Sequence, residues 1–284
     1  MGNNFNSSEE VIRANISTGV VKAERPLGQM ILLGIMAGAF IAFGGAASNV
    51  AVHGITDVGL GRALAGAIFP VGLMLIILVG GELFTGNCLI SMAVLDRKTT
   101  AAKMLRNLAV VYCSNLVGAL AADCLIFYSG QFNYSGGGLG AYTIRVAVSK
   151  VSIEPVAAVA SGILCNMLVC FAILMAGAAK DVAGKIWAVF FPICAFVVCG
   201  FEHCVANMFY IPAGILAAGK PEYVEKAQEL YGITAQQCAD LTAVSSLRNL
   251  IPVTVGNVIG GALFIGAIYY LIYIRKGNES GKLM

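Results

Sequence analysis

Residues 77–86, Ile-Leu-Val-Gly-Gly-Glu-Leu-Phe-Thr-Gly, set a carboxylate, a hydroxyl and three glycines inside a long apolar run. A helix crossing a bilayer must satisfy its backbone internally, and non-helical backbone survives at membrane depth only when it is buried in protein or lines a cavity. Such a break marks a pore or a binding site, because transporters build their sites from discontinuous helices. The run from Ile186 to Val198 is interrupted in the same way by Cys199-Gly-Phe-Glu-His-Cys-Val-Ala-Asn207, and the apolar pattern resumes from Met208 to Leu216. Two such breaks in one chain argue against a pair of accidental loops.

The chain is 58% hydrophobic and 12% charged, about half the ~25% charge of a soluble protein. It reads as an all-α integral membrane protein. Spans are expected at 27–52, 61–95 (broken), 104–128, 151–177, 183–216 (broken) and 248–274, each long enough for a hydrocarbon core that needs ~20 residues. Residues 1–26 are polar, lack the apolar stretch of a signal peptide and read as an amphipathic cytoplasmic segment. Arg13, Lys22, Arg25, Arg97, Lys98, Lys103, Arg106, Lys180, Lys185, Arg275, Lys276 and Lys282 fall on one side, whereas only Arg62, Arg145, Lys150, Lys220, Lys226 and Arg248 fall on the other. By the positive-inside rule both termini face the cytoplasm, which places a multi-pass protein in the inner (cytoplasmic) cell membrane. The net charge of +3 is this topological bias and carries no nucleic-acid signal. Nine cysteines with only two histidines and no C-x-x-C pair point to no metal, cofactor or disulfide framework; most sit in apolar spans as small hydrophobes.

The third span holds Asn115-Leu-Val-Gly-Ala-Leu120 and the sixth holds Asn257-Val-Ile-Gly-Gly-Ala-Leu263, and each break carries Gly, Phe and Glu. The chain therefore divides into a first repeat, 27–128, and a second, 151–274, within one channel domain over 1–284 whose last residues, 275–284, form a cytoplasmic tail. An odd number of spans per repeat inverts the second copy and brings both breaks to the midplane. Gly34, Gly38, Gly44, Gly45, Gly256, Gly260 and Gly261 form small-residue faces for close helix packing in lipid. The 217–247 segment reads as an outer helical cap.

His203 is an ionisable group deep in a span, which makes it a functional expectation by default, and an imidazole exchanges protons near neutral pH. The alternative is a histidine that satisfies backbone freed by the break. Thr85 occupies the matching break, as a hydrogen-bonding group toward a substrate or His203 or as a helix cap. Glu82 and Glu202 sit at matching places and read first as holding the broken backbone. Lys150 either snorkels at the interface or draws anions into a vestibule. Asn166 and Asn257 are buried amides that line the pore or tie helices together. Phe69, Leu73, Leu83 and Phe196 flank the breaks as apolar constrictions.

The segments Ile77–Gly86, Gly162–Cys170, Gly200–Met208 and Ile251–Gly261 together resemble the formate/nitrite transporter family over nearly the whole chain. The resemblance implies an aquaporin-like protomer in a homopentamer, one pore per protomer and no enzyme activity. By motif position Thr85 is similar to the family's loop threonine, His203 to its central histidine, Lys150 to its vestibule lysine, and Asn166 and Asn257 to its pore asparagines. Phe69, Leu73 and Phe196 fall at its hydrophobic constrictions. The implied substrates are small weak-acid anions, formate first, with hydrosulfide or nitrite as the alternative. Because a bare anion is costly in an apolar constriction, passage across the lipid bilayer is expected as the neutral acid after protonation at His203, with passive anion flow as the alternative.

Overall fold

The computed structural model describes residues 5–275. Thirteen helices precede a long last one: α1 (Ser8–Glu24), α2 (Leu27–Val52), α3 (Val58–Ile68), α4 (Val71–Val79), α5 (Phe84–Asn87), α6 (Ile90–Leu95), α7 (Ala101–Tyr128), α8 (Gly138–Val151), α9 (Pro155–Ala178), α10 (Val182–Cys199), α11 (Cys204–Ala218), α12 (Pro221–Tyr231), α13 (Ala235–Ala239) and α14 (Ala243–Val258). The last runs on through a π-helical stretch, Ile259–Ala267, as one apolar rod to Arg275. Six of these rods are long and apolar enough to cross a membrane: α2, α3–α4, α7, α9, α10 and α14 with its extension. They form two inverted three-helix repeats whose second and fifth members are broken, an aquaporin-like protomer.

Caps and glycines set the boundaries. Asp57, Thr100, Asp181 and Thr242 each accept a first-turn amide, at the starts of α3, α7, α10 and α14, as N-cap side chains should. At the far end of α10, Gly200 has φ +72°. Its N–H reaches Val197 O at 3.0 Å and Phe201 N–H reaches Phe196 O at 3.0 Å, the paired bonds of a Schellman stop. The first break is tighter than the ten-residue run in the sequence: it spans only Gly80–Leu83, because Ile77–Val79 and Phe84–Gly86 stay helical. The second spans Gly200–His203.

α2 packs on α7, and α9 on α14, with small residues at both contacts. A Cβ added to Gly38 would sit 2.8 Å from the carbonyl carbon of Asn115, and one on Gly162 would sit 2.7 Å from Val253 O. These neighbours are backbone and cannot rotate away, so the small-residue faces are required packing surfaces. Gly38→Val should force α2 off α7 and convert the protein from a single peak to aggregate on size exclusion in mild detergent; a monodisperse variant of normal yield would show that this contact is dispensable.

Two amphipathic pieces escaped the span pattern. α1 buries Val11, Ile12 and Ile16 against α6 and α9. α8 lies between the third and fourth spans, where no helix was expected, and packs on α11. Lys150 therefore stands in the last turn of α8, ahead of α9. The 217–247 cap is helical, as α12 and α13 with the first turn of α14. Of the tail at 275–284, all but Arg275 lies outside the described residues.

Candidate functional site

Each break leaves backbone amides and carbonyls without helical partners, and one asparagine closes each gap. Asn115 Oδ1 accepts from Phe84 N–H at 2.9 Å, while its Nδ2 donates to Gly34 O and Glu82 O, both at 2.8 Å. Asn257 does the same in the other half: Oδ1 accepts from Cys204 N–H at 2.9 Å, and Nδ2 donates to Gly162 O at 2.8 Å and Glu202 O at 2.9 Å. Both amides are fully buried and use all of this capacity on backbone. Asn257 thus acts as a clamp between α14, α9 and the start of α11.

The acids are duplicated in the same way. Glu202 is 3% exposed and accepts from Lys150 Nζ and from Asn207 Nδ2 at 2.7 Å. Asn207 also donates to Asn249 Oδ1 at 2.7 Å, and Asn249 donates to Lys150 O at 2.8 Å. In the first half Glu82 takes Asn87 Nδ2 and pairs with Lys22 Nζ at 3.6 Å and Arg25 Nε at 3.3 Å. Asn87 donates to Asn107 Oδ1 at 2.8 Å, and Asn107 donates to Lys22 O at 2.9 Å. Lys22 is to the first break what Lys150 is to the second. Sequence reading missed Lys22, Asn87, Asn107, Asn115, Asn207 and Asn249 as members of the site. The signal was present as Glu followed by Asn five residues on in both breaks, Glu82–Asn87 and Glu202–Asn207.

The centre is where the two halves differ. Thr85 Oγ1 lies 2.8 Å from His203 Nε2. His203 is the N-cap of α11, and its Nδ1 accepts from Ala206 N–H at 3.0 Å. A ring nitrogen that accepts an amide proton carries none, so the neutral ring holds its proton on Nε2 and donates it to Thr85. The threonine hydroxyl proton is thereby free to point elsewhere. Asn166, fully buried, fixes Thr85 by donating to its carbonyl at 3.2 Å and also donates to Asn257 O. At equivalent positions the other repeat has Val205 for Thr85, Leu83 for His203 and Gly38 for Asn166, judged by the spacings of 120 and 128 residues that the clamps share.

Two chambers flank this pair. On the Lys150 side, a cavity of about 160 Å³ is lined by Phe69, Phe196, His203, Lys150, Asn207 and Tyr210. Phe69 and Phe196 meet edge to face with centroids 5.6 Å apart, and Phe196 stacks on His203 at 6.0 Å. On the Lys22 side, about 430 Å³ is lined by Leu73, Leu83, Glu82, Lys22, Arg25 and Ile77 among others. Phe69, Leu73, Leu83 and Phe196 are all buried and give each chamber an apolar wall next to the polar pair. Tyr210, absent from the sequence expectations, stacks on Phe69 at 6.5 Å and carries Lys150 Nζ 5.7 Å from its centroid.

The start of α11 offers no open cradle for an anion, because Cys204 N–H is taken by Asn257 and Ala206 N–H by His203. What the centre presents is a hydroxyl and an imidazole in an apolar corridor.

A family model described as "Formate/nitrite transporter" matches residues 9–271. The chain is 37% identical to the "Probable formate transporter" of Methanothermobacter thermautotrophicus, over 97% of this chain and 100% of the relative. It is 35% identical to "Formate channel FocA" of Escherichia coli (strain K12), over 92% of each. Among solved structures it superposes on a "Pentameric formate channel with formate bound" with a TM-score of 0.76 at 34% identity, covering 87% of this chain and 98% of that one. With the family model spanning both clamps and the central pair, the chain belongs to the formate/nitrite transporter family.

Proposed function

We propose that this protein carries formate across the inner (cytoplasmic) membrane, as a homopentamer with one pore per protomer and both termini cytoplasmic. The formate-named relatives and the pentameric neighbour support substrate and assembly; the lysine and arginine distribution supports the orientation. Each repeat includes its amphipathic helix, so that α1–α7 and α8–α14 are the duplicated units, because Lys22 to Lys150 and Gly34 to Gly162 share one spacing of 128 residues.

The observation that carries the transport reading is the Thr85–His203 hydrogen bond between apolar walls. A bare anion in such a corridor faces a desolvation cost of tens of kcal/mol by Born estimates. The neutral acid avoids it. For a carboxylic acid with a pKa close to the ~3.9 of an aspartate, protonation at pH 7 costs roughly 4 kcal/mol, much the smaller barrier. Proton delivery follows from the tautomer. A proton from chamber water takes Nδ1 as that nitrogen releases Ala206 N–H, Nε2 passes its proton to Thr85 Oγ1, and the threonine hydroxyl proton goes to the carboxylate. Releasing the cap costs about 1 kcal/mol, which the relay readily absorbs. Hydrosulfide, whose acid form is already abundant at neutral pH, and nitrite are the alternative substrates on the same scaffold.

The test is uptake of labelled formate into proteoliposomes under an imposed pH gradient, with hydrosulfide and nitrite as competitors. An inward proton gradient should accelerate formate uptake, and hydrosulfide should compete only at higher concentration. Uptake indifferent to the gradient would mean passive anion flow; permeation by hydrosulfide alone would move the substrate to sulfide.

A further inference from the structure

Lys150 cannot by itself make its mouth attractive to anions, because its ammonium is spent on Glu202. The pair sums to no net charge. Outside it opens a third cavity of about 780 Å³, which shares Tyr142, Val146 and Lys150 as lining with the 160 Å³ chamber. Of the charged groups lining it, Lys226 is paired with Glu229, and Asp57, which caps Leu60 N–H, contributes one negative charge. Arg62 and Arg145 remain. Among the described residues neither guanidinium forms an ion pair with a carboxylate.

Both guanidiniums are held in place by other means. Arg62 Nη1 donates to Val198 O at 3.1 Å, a carbonyl in the last turn of α10, and passes so close over Gly200 that a Cβ there would lie 2.6 Å from Nη1. Arg145 rests on two rings, with Cζ 5.6 Å from the centroid of Tyr142 and 5.0 Å from that of Tyr231. Tyr231 is the last residue of α12, and its hydroxyl donates to His53 O at 3.3 Å. His53 in turn donates from Nδ1 to Val50 O at 2.7 Å and accepts at Nε2 from Ser135 Oγ at 2.8 Å. The helical cap thus helps to build the mouth, since α12 presses Tyr231 under Arg145 and ties that ring to the end of α2.

We propose that Arg62 and Arg145 form a peripheral binding site for small carboxylate anions at the Lys150-side mouth, which captures the anion before it reaches Lys150. Guanidinium forks match carboxylates and are weakly hydrated, so they release and bind such ligands at low desolvation cost. Two guanidiniums against the single Asp57 carboxylate leave the wall of this cavity net positive and concentrate anions locally, an effect that fades as the Debye length falls below ~10 Å. A ring pair holds the Arg145 guanidinium by cation–π attraction and, unlike a carboxylate partner, leaves its charge uncancelled. The site deepens the formate reading and rests on it for its role in transport, though not for binding itself.

The probe is oxalate, whose two carboxylates double the electrostatic attraction. Binding to the purified full-length protein in detergent is followed by isothermal calorimetry at low ionic strength. Wild type should bind oxalate, and binding should weaken with added salt. Arg145→Gln should lower the affinity ~10-fold or more, about 1.4 kcal/mol, and adding Arg62→Gln should remove binding. Since Arg62 also supports the end of α10, Arg145→Gln decides the matter, its side chain being held by Tyr142 and Tyr231; Tyr231→Ala, which removes the ring beneath it, should bind weakly. Absence of binding in wild type, or equal affinity in wild type and Arg145→Gln, overturns the site. Formate uptake measured on the same preparations separates the two readings: arginine-dependent oxalate binding without formate uptake would sink the substrate and leave the site, whereas formate uptake without oxalate binding would do the reverse.

Discussion

His203→Asn is expected to give a folded protein whose formate uptake no longer responds to a proton gradient. Asparagine is among the strongest N-cap residues, so its side-chain oxygen takes over Ala206 N–H and α11 keeps its start. The amide has no proton to exchange. The gradient-driven component of uptake should fall ~10²-fold or more, the range that a positioned proton-transfer group contributes, while yield and oligomeric state stay those of wild type. Thr85→Val should act alike through the other end of the relay, and the change is sterically mild because the second repeat already holds Val205 at the equivalent place. His203→Phe loses the cap as well and mixes the two effects, which makes it the poorer probe. A full pH response in the asparagine variant would reduce His203 to a cap and require the anion to be protonated in the chamber outside.

The six rods and the two interruptions were legible because bilayer physics leaves few choices: ~20 apolar residues span, and a carboxylate among them cannot face lipid. His203 and Thr85 stood out for the same reason, and the structure joins them by one hydrogen bond. What the sequence hid was amphipathic or cooperative. α1 and α8 are too polar for a span pattern, so the helix that carries Lys150 is not visible in the sequence and Lys22 reads there as topology alone. Asn87, Asn107, Asn207 and Asn249 are ordinary residues until the fold stacks them on Glu82 and Glu202. An amide announces its burial in an apolar run but not its partners, which is why Asn257 could be read as pore lining or as a tie. The π-helical stretch at Ile259–Ala267 left no composition signal, since wider turns use the same glycines and aliphatics as α-helix.

Asn257→Leu should, with its duplicate Asn115→Leu, be the most damaging single change for stability outside the glycine contacts. Leucine has the same branched skeleton but is bulkier, so Cys204 N–H, Gly162 O and Glu202 O lose their partner together and its methyls must also fit where hydrogen bonds held the backbone close. A buried polar group left unpaired costs about 1–3 kcal/mol, whereas side-chain hydrogen bonds measured inside a membrane bundle average ~0.6 kcal/mol because the unfolded state finds other partners. Three lost bonds therefore bracket the effect between roughly 2 and 9 kcal/mol, enough to lower the unfolding midpoint in detergent well below wild type. Asn115→Leu removes the matching bonds from Phe84, Gly34 and Glu82 and should destabilise to a similar degree, since the clamps are duplicates. Their effects on transport should differ. Asn257 holds the turn that leads directly into His203, and its carbonyl receives Asn166, which fixes Thr85; Asn115 touches neither partner of the relay in this way. At a temperature where both variants remain folded, Asn257→Leu should therefore lose more of the proton-driven uptake than Asn115→Leu. Equal losses would show that the two breaks support the centre equally, and that the asymmetry of Thr85, His203 and Asn166 does not extend to the backbone beneath them.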